Sequence, residues 1–542
     1  VATKILQTRQ PDILEPKLVS PFKNIAMKKI QIIFLAGLLL IVASSCEKFD
    51  ELNTNPNVPT SVSSDMLATT VLKGTYRFWN PNSTDWATAQ LQGKHCTNLQ
   101  NVANPYQYYS SYYPYGGFGG AQNLTLLNRM VDFAAGNPAL PSYEGLRLFL
   151  KASYGIGVAT DMGDAPYSEA GMAEQGITQP KYDKAADIIV AALNDLKAAE
   201  AKFAQGKNFS GDIMSYAGNA TKWRRLCNAV QLRTLNTISK KITPEQKARF
   251  AEIVAAGNLL SGNADVFQLP YLENANATYP FYGGEGTRQN LAMSKLMVDF
   301  LKSVNDRRLF YFGEPAPYKI AAGFLENDYA AYEGAPSELS PSSLELNKLS
   351  GKYSLINKRY ASSASRIGDP FLFFSYAEQC FIIAEAAEEG WIPGGAATAK
   401  TYYENGVKGQ LSYFKDLSTV IQSNLHGMPI TQSYIDNYFT GEAAYKMSGT
   451  KEDRLKQIWM QRYFIDFFQG GGMSYRTYLR TGYPVFPINP ATSLNSGAPN
   501  MAPKRNMYPT DELTKNPENY KKAVQEQYGG FDDVNKTPWW LQ

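Results

Sequence analysis

Apolar residues in this chain recur at helical spacing and almost nowhere at the two-residue alternation of a half-buried strand, which removes most of the fold classes open to it. The clearest segment follows Pro180. Asp183 stands where an N-cap is expected, and Ile189, Leu193 and Leu196 then form one stripe through Ala-rich sequence. The same period predicts helices over 65–78, 86–99, 143–160, 222–240, 291–304, 371–389, 432–439 and 454–468. Helices of this length cannot bury an apolar stripe alone. In pairs they suggest a helical repeat in which each hairpin covers the next, although no strict repeat is visible at about 34 residues. Long loops over 101–120, 262–290, 312–366 and 481–515 interrupt them, and loops of that length are functional or disordered in most domains.

Near the start, Met27 is followed by Lys28 and Lys29, and 30–42 is apolar except for Gln31 and Gly37. At about 1.5 Å per residue this stretch falls well short of a hydrocarbon core of roughly 30 Å, so it reads as the h-region of a signal peptide spanning 27–45. Ala43, Ser44 and Ser45 lead into Cys46, an arrangement that resembles the lipobox of bacterial lipoproteins, with Ala43 where Leu is commonest. Cys46 is therefore the expected lipidation site. Glu47, Lys48, Phe49, Asp50 and Glu51 resemble the charged tether that directs Bacteroidetes lipoproteins to the cell surface, and several acyl chains would hold the protein there firmly. This divides the chain into an over-extended reading frame (1–26, with Pro11, Pro16 and Pro21), the signal peptide, a lipidated tether (46–64) and one α-helical ligand-binding domain (65–542).

Charge excludes nucleic acid as a partner. The chain has 53 Lys and Arg against 49 Asp and Glu, but six of the basic and two of the acidic residues lie in 1–45, which leaves 47 of each beyond it. Charged residues are only 19% of the chain, whereas aromatics reach 13% with 35 Tyr. Apart from Cys46, the cysteines are Cys96, Cys227 and Cys380, an odd number with irregular spacing that makes neither a disulfide framework nor a zinc site. His95 and His426 are the only histidines, and the signatures of zinc hydrolases, serine hydrolases and nucleotide-binding loops are missing. Asp161, Asp164 and Glu169 form the nearest acidic cluster; turn formation and capping around Gly163 and Pro166 explain it better than acid-base catalysis.

The run Asp161, Met162, Gly163, Asp164, Ala165, Pro166, Tyr167, Ser168, Glu169, Ala170, followed by Pro180, Tyr182 and Asp183, resembles the SusD/RagB family of nutrient-binding outer-membrane lipoproteins, in its SusD-like branch. Further blocks similar to the family occur in the same order: Lys222 and Trp223 through Asn228 to Arg233; Ala377 and Glu378 with Ala384, Glu385 and Ala386; 461–470; 480–484; and Arg505, Tyr508, Pro509, Glu512, Asn516 and Tyr520. Two positions depart from it. Arg307 replaces a Pro usual in the family, and Leu479 stands where a second Arg is common. The resemblance implies an all-α fold of about four tetratricopeptide-like helix pairs packed against an irregular, loop-rich helical half. It also implies a non-enzymatic surface protein of the outer membrane that passes nutrient to a SusC-like, TonB-dependent transporter, most relatives taking oligosaccharides and some peptides.

Sugar rings pack on flat aromatic faces while neighbouring polar groups fix their hydroxyls. The densest supply is Trp79, Trp86, Tyr106, Tyr108, Tyr109, Tyr112, Tyr113, Tyr115 and Phe118, interleaved with Asn and Gln. A second, weaker supply is the Gly-rich loop with Phe281, Tyr282 and Arg288. Expected ligand residues are thus Trp79, Trp86, Tyr106, Tyr108, Tyr109, Tyr112, Tyr113, Tyr282 and Arg288, with no cofactor; calcium is not legible in the sequence. Capture of peptides by the same architecture, a glycoside hydrolase and a protein-only scaffold stay open as alternatives.

Overall fold

The computed structural model describes residues 62–76, 85–419, 421–469 and 472–542, and helices dominate them as the periodicity predicts. Successive helices in the first half are α1 (Ser64–Tyr76), α2 (Asp85–Gln92), α3 (Gly119–Phe133), α4 (Leu140–Asp161), α5 (Ala185–Gln205), α6 (Ala220–Thr237) and α7 (Pro244–Ala256). After α8 (Lys295–Ser303) and α9 (Pro341–Leu349) come α10 (Tyr376–Glu388) and α11 (Gly395–Lys415), then α12 (Lys451–Ile465), α13 (Met473–Thr481) and α14 (Pro517–Tyr528). Four tetratricopeptide-like pairs result: α1 with α3, α4 with α5, α6 with α7, and α10 with α11. Each pair packs on the next through α3 on α4, α5 on α6 and α6 on α10, so every apolar stripe finds a neighbour.

Close approach within a pair depends on glycine. A Cβ at Gly145 near the start of α4 would lie 3.0 Å from the Phe203 ring near the end of α5, and one at Gly155 would lie 3.1 Å from Ile188 near its start, which makes the two helices antiparallel. Gly406 and Gly409 of α11 do the same against Phe381 and Tyr376 of α10. Trp223 is fully buried at the centre of the repeat, with the rings of Phe149, Phe203, Phe209 and Phe267 all between 5.1 and 6.1 Å from its own. Buried ion pairs reinforce this packing: Arg233 of α6 to Glu378 of α10 joins two pairs of the repeat, and Arg480 of α13 to Glu385 of α10 ties the repeat to the irregular half. Arg308 and Asp306 pair at 2.5 Å with no exposure at all, and Gln461 accepts a further bond from the guanidinium at 2.7 Å. Arg307, the departure from the family pattern, instead reaches outward to the Pro429 carbonyl.

Three expected helices prove to be part helix and part strand. The stretch 86–99 stops at Gln92, turns through Lys94 at φ 57° and continues as β1 (Cys96–Asn98). The stretch 291–304 begins as β5 (Leu291–Met293), which pairs antiparallel with β1, and becomes helical only after Ser294 caps α8. Likewise β6 (Phe371–Phe374) pairs with β4 (Phe267–Leu269) before Ser375 caps α10. The remaining ladder joins β2 (Ala165–Pro166) to β3 (Tyr182–Asp183). Asp183 is not the cap of α5. Its carboxylate accepts from Ser168, and the first amide of the helix, Ala185 N–H, donates to Asp164 at 2.8 Å instead. Cys96, Cys227 and Cys380 are buried free thiols.

Candidate functional site

Where α1, α3 and α4 meet, the packing leaves a cavity of about 530 Å3. Three tyrosines give it aromatic walls. Tyr76, the last residue of α1, is held edge-on by Phe373 at 4.5 Å and Phe267 at 5.3 Å. Tyr154 of α4 donates its hydroxyl to the Pro166 carbonyl at 3.0 Å and lies against Gly120, where a Cβ would sit 2.5 Å from the ring. Tyr115 is fixed through its amide, which donates to the Met507 carbonyl at 2.9 Å. Its hydroxyl makes no hydrogen bond with any described residue, and neither does the side-chain amide of Asn123 on the opposite wall. Burial pushes the Tyr115 phenol up to about 12, so it keeps its proton at neutral pH and can donate. No charged side chain among the described residues lines the cavity.

Glycine shapes the floor. Gly157 lies in the interior of α4, where Gly costs about 1 kcal/mol relative to Ala. No described atom lies within 4 Å of the Cβ it lacks, so packing does not require glycine there. What its absence preserves is open volume, and Gly157 also borders a second cavity of about 180 Å3 between α4, α6 and β6.

Of the expected ligand residues, Trp79 and Cys46 lie outside the described residues, as does the side chain of Trp86, whose backbone belongs to α2. Tyr108, Tyr109 and Tyr113 are not part of an open platform. All three are buried, and their hydroxyls donate to the carbonyls of Leu339, Gln92 and Pro105. The reason is the amphipathic character that suggested them: a tyrosine ring fills core while its hydroxyl satisfies a loop carbonyl. Tyr106 is half-buried with its ring 5.2 Å from that of Tyr113, and Tyr112 alone of this group stands in solvent, 57% exposed. From the wider run, Tyr115 reaches the cavity. Tyr282 is half-buried under the Arg366 guanidinium at 5.0 Å. Arg288 is committed to Glu285 and to the Ile356 carbonyl, which leaves it no free fork for a ligand. Tyr76, Asn123, Tyr154 and Gly157 went unread; the signal for the last was a glycine inside a strong helical pattern.

The acidic cluster serves the fold. Asp161 pairs with Arg476 at 2.5 Å, Asp164 caps α5, and Glu169 accepts from the Lys181 amide. No group of three or more His, Cys, Asp or Glu among the described residues is arranged to hold a metal ion, and no described helix is long and apolar enough to cross a membrane.

A family model described as starch-binding and associating with the outer membrane matches residues 56–509. The chain belongs to this SusD-like family. A SusD homologue from Bacteroides fragilis is 33% identical and superposes with a TM-score of 0.82, the alignment covering 89% of this chain and all of the other. An outer-membrane protein of Bacteroides vulgatus named for nutrient binding is 30% identical over the same 89% and all of its own length, with a TM-score of 0.77. A chitin-binding SusD homologue from Flavobacterium johnsoniae shares the fold at 18% identity, a TM-score of 0.65 and coverage of 88% of this chain and 98% of its own. A comparison with curated proteins returned no match. The blocks that resemble the SusD-like family are largely its stitching: Arg233, Glu378, Glu385 and Arg480 form the buried pairs, while Tyr508 and Asn516 dock the last third of the chain on Asp164 and Pro180.

Proposed function

We propose that this SusD-like protein captures an oligosaccharide at the cell surface, anchored to the outer membrane through Cys46 after removal of 27–45, and hands it to a SusC-like, TonB-dependent transporter. It binds without cleaving. The observation that carries the ligand class is the tyrosine-walled cavity in which, among the described residues, no charged side chain lines the wall and the Tyr115 hydroxyl and the Asn123 amide have no partner. Rings offer C–H faces a surface, and the two polar groups suit hydroxyls, whereas a charged peptide would find no counter-ion among the described residues there. Further support comes from family membership, from the neutral charge balance beyond residue 45, and from the use of this fold by a chitin-binding homologue.

The test is a thermal-shift screen of the full-length protein against neutral oligosaccharides and short peptides, because a ligand that binds only the folded state raises its apparent stability. A shift with an oligosaccharide that disappears in Gly157→Leu and weakens in Asn123→Ala is the expected result. Shifts with peptides alone would refute the glycan assignment.

A further inference from the structure

A third cavity, of about 160 Å3, lies beyond the second and has a different chemistry. Thr160 and Arg476 stand in the walls of both, so the three cavities follow α4 from Leu150 to Asp161. The third carries the most charge. Arg476, Lys504 and Arg505 line it against Asp161 alone. Arg505 gives Nε to the Met162 carbonyl and Nη1 to Asp532, while its buried Nη2 makes no hydrogen bond with any described residue. Arg476 gives Nη2 to Asp161, but its Nη1 meets only the Met473 sulfur, at 3.7 Å. Lys504 is the unmatched charge: Nζ donates to Thr537 Oγ1 at 3.0 Å, and no carboxylate among the described residues lies within 4 Å of it. The side-chain amide of Asn506, on the same wall, makes no hydrogen bond with any described residue.

An uncompensated ammonium in a concave wall, with a free guanidinium nitrogen and a free amide around the same small space, is complementary to an oxyanion. We propose that this cavity receives an anionic substituent, a carboxylate or a sulfate, carried by an oligosaccharide whose uncharged part occupies the tyrosine-walled cavity. This rests on the glycan reading above and narrows it to acidic glycans. The first cavity holds the neutral sugar faces and the third selects for the charge. Neither could do both, since no cation among the described residues lines the first and the third is too small for more than the end of a chain.

The experiment is calorimetric titration of the full-length protein with acidic oligosaccharides, namely oligogalacturonides, alginate-derived oligouronides and sulfated galactan fragments. Each is paired with its methyl-esterified or desulfated counterpart, and inorganic sulfate is a separate arm. At least one acidic ligand is expected to bind about ten-fold more tightly than its neutral counterpart, a preference that falls with added salt and is lost in Lys504→Gln and Arg476→Gln. The Lys504 side chain makes one hydrogen bond with the described residues, so Lys504→Gln keeps its melting temperature and isolates the charge. No preference for any acidic member, a preference that survives Lys504→Gln, or binding of sulfate without any acidic glycan would each overturn the proposal. Gly157→Leu separates the two readings. If it leaves a Lys504-dependent preference intact, the tyrosine-walled cavity is not where the sugars lie, and the anion site stands without it.

Discussion

Two glycines two positions apart in α4, Gly155 and Gly157, differ sharply in what a side chain there would meet. Replacing Gly155 or Gly157 by Ala brings the same helix-propensity gain, about 1 kcal/mol. The surroundings then oppose each other. At 155 the new methyl would sit 2.3 Å from Cε2 and 2.6 Å from Cδ2 of Tyr167. That ring is buried, its hydroxyl donates to Asp195 at 2.7 Å, and the Lys151 ammonium lies 4.8 Å above it. It cannot swing aside without losing those contacts, and over-packing of this kind costs about 1–3 kcal/mol. At 157 the methyl meets nothing. The propensity term cancels in the comparison, so Gly157→Ala should exceed Gly155→Ala in stability by about 1–3 kcal/mol and exceed the parent by about 1 kcal/mol. Urea denaturation of the three proteins, with midpoints compared at a common slope, measures both differences. Equal shifts at the two positions would refute the packing argument, and a loss of stability at 157 would mean that the cavity is not open.

Two further outcomes follow from buried charge. Burial raises the Asp466 carboxyl to about 7, against the hydrogen bonds from Ser474, so the native state holds a proton that the unfolded chain releases near pH 4; stability is lost as pH rises through that window, by about 4 kcal/mol in all. Asp466→Asn should therefore gain on the parent progressively between pH 4 and 8 in denaturant titrations, and a gap independent of pH would exclude this account. Around Glu385, burial pushes the carboxyl up but Arg480 and Arg462 prevail and hold it below its usual range, so its contribution persists above the ordinary carboxylate range and fades as pH falls through the lowered value. Arg480→Met leaves that carboxylate buried without its bidentate partner and should cost about 3–5 kcal/mol at pH 7 by the same titration, with a smaller loss at pH 4.

Helix content was legible because an apolar stripe is a local property: the period that marks Ile189, Leu193 and Leu196 places all three in the buried face of α5. The cap of α5 was misread at Asp183 because the side chain that caps it comes from Asp164, just before the far strand of a two-residue ladder, and Ser294 and Ser375 fell inside stretches expected to be helical throughout although they cap α8 and α10. The three-residue strands escaped for the same reason, since β1 finds its partner almost 200 residues later in β5. Tyrosine composition announced a surplus of rings that are apolar at one end and polar at the other. Whether such a ring fills core or lines a cavity depends on what its hydroxyl meets: Tyr109 finds the Gln92 carbonyl and is buried, while Tyr115 finds no partner among the described residues and lines the cavity. The sequence by itself determined the helical class, the family and the neutral charge balance, all of which are sums or short-range patterns. Only the tertiary structure decided the site. A cavity is space left between α1, α3 and α4, and a net charge in a wall is a balance among Asp161, Arg476, Lys504 and Arg505, residues that become neighbours only when chain segments more than 300 residues apart pack together.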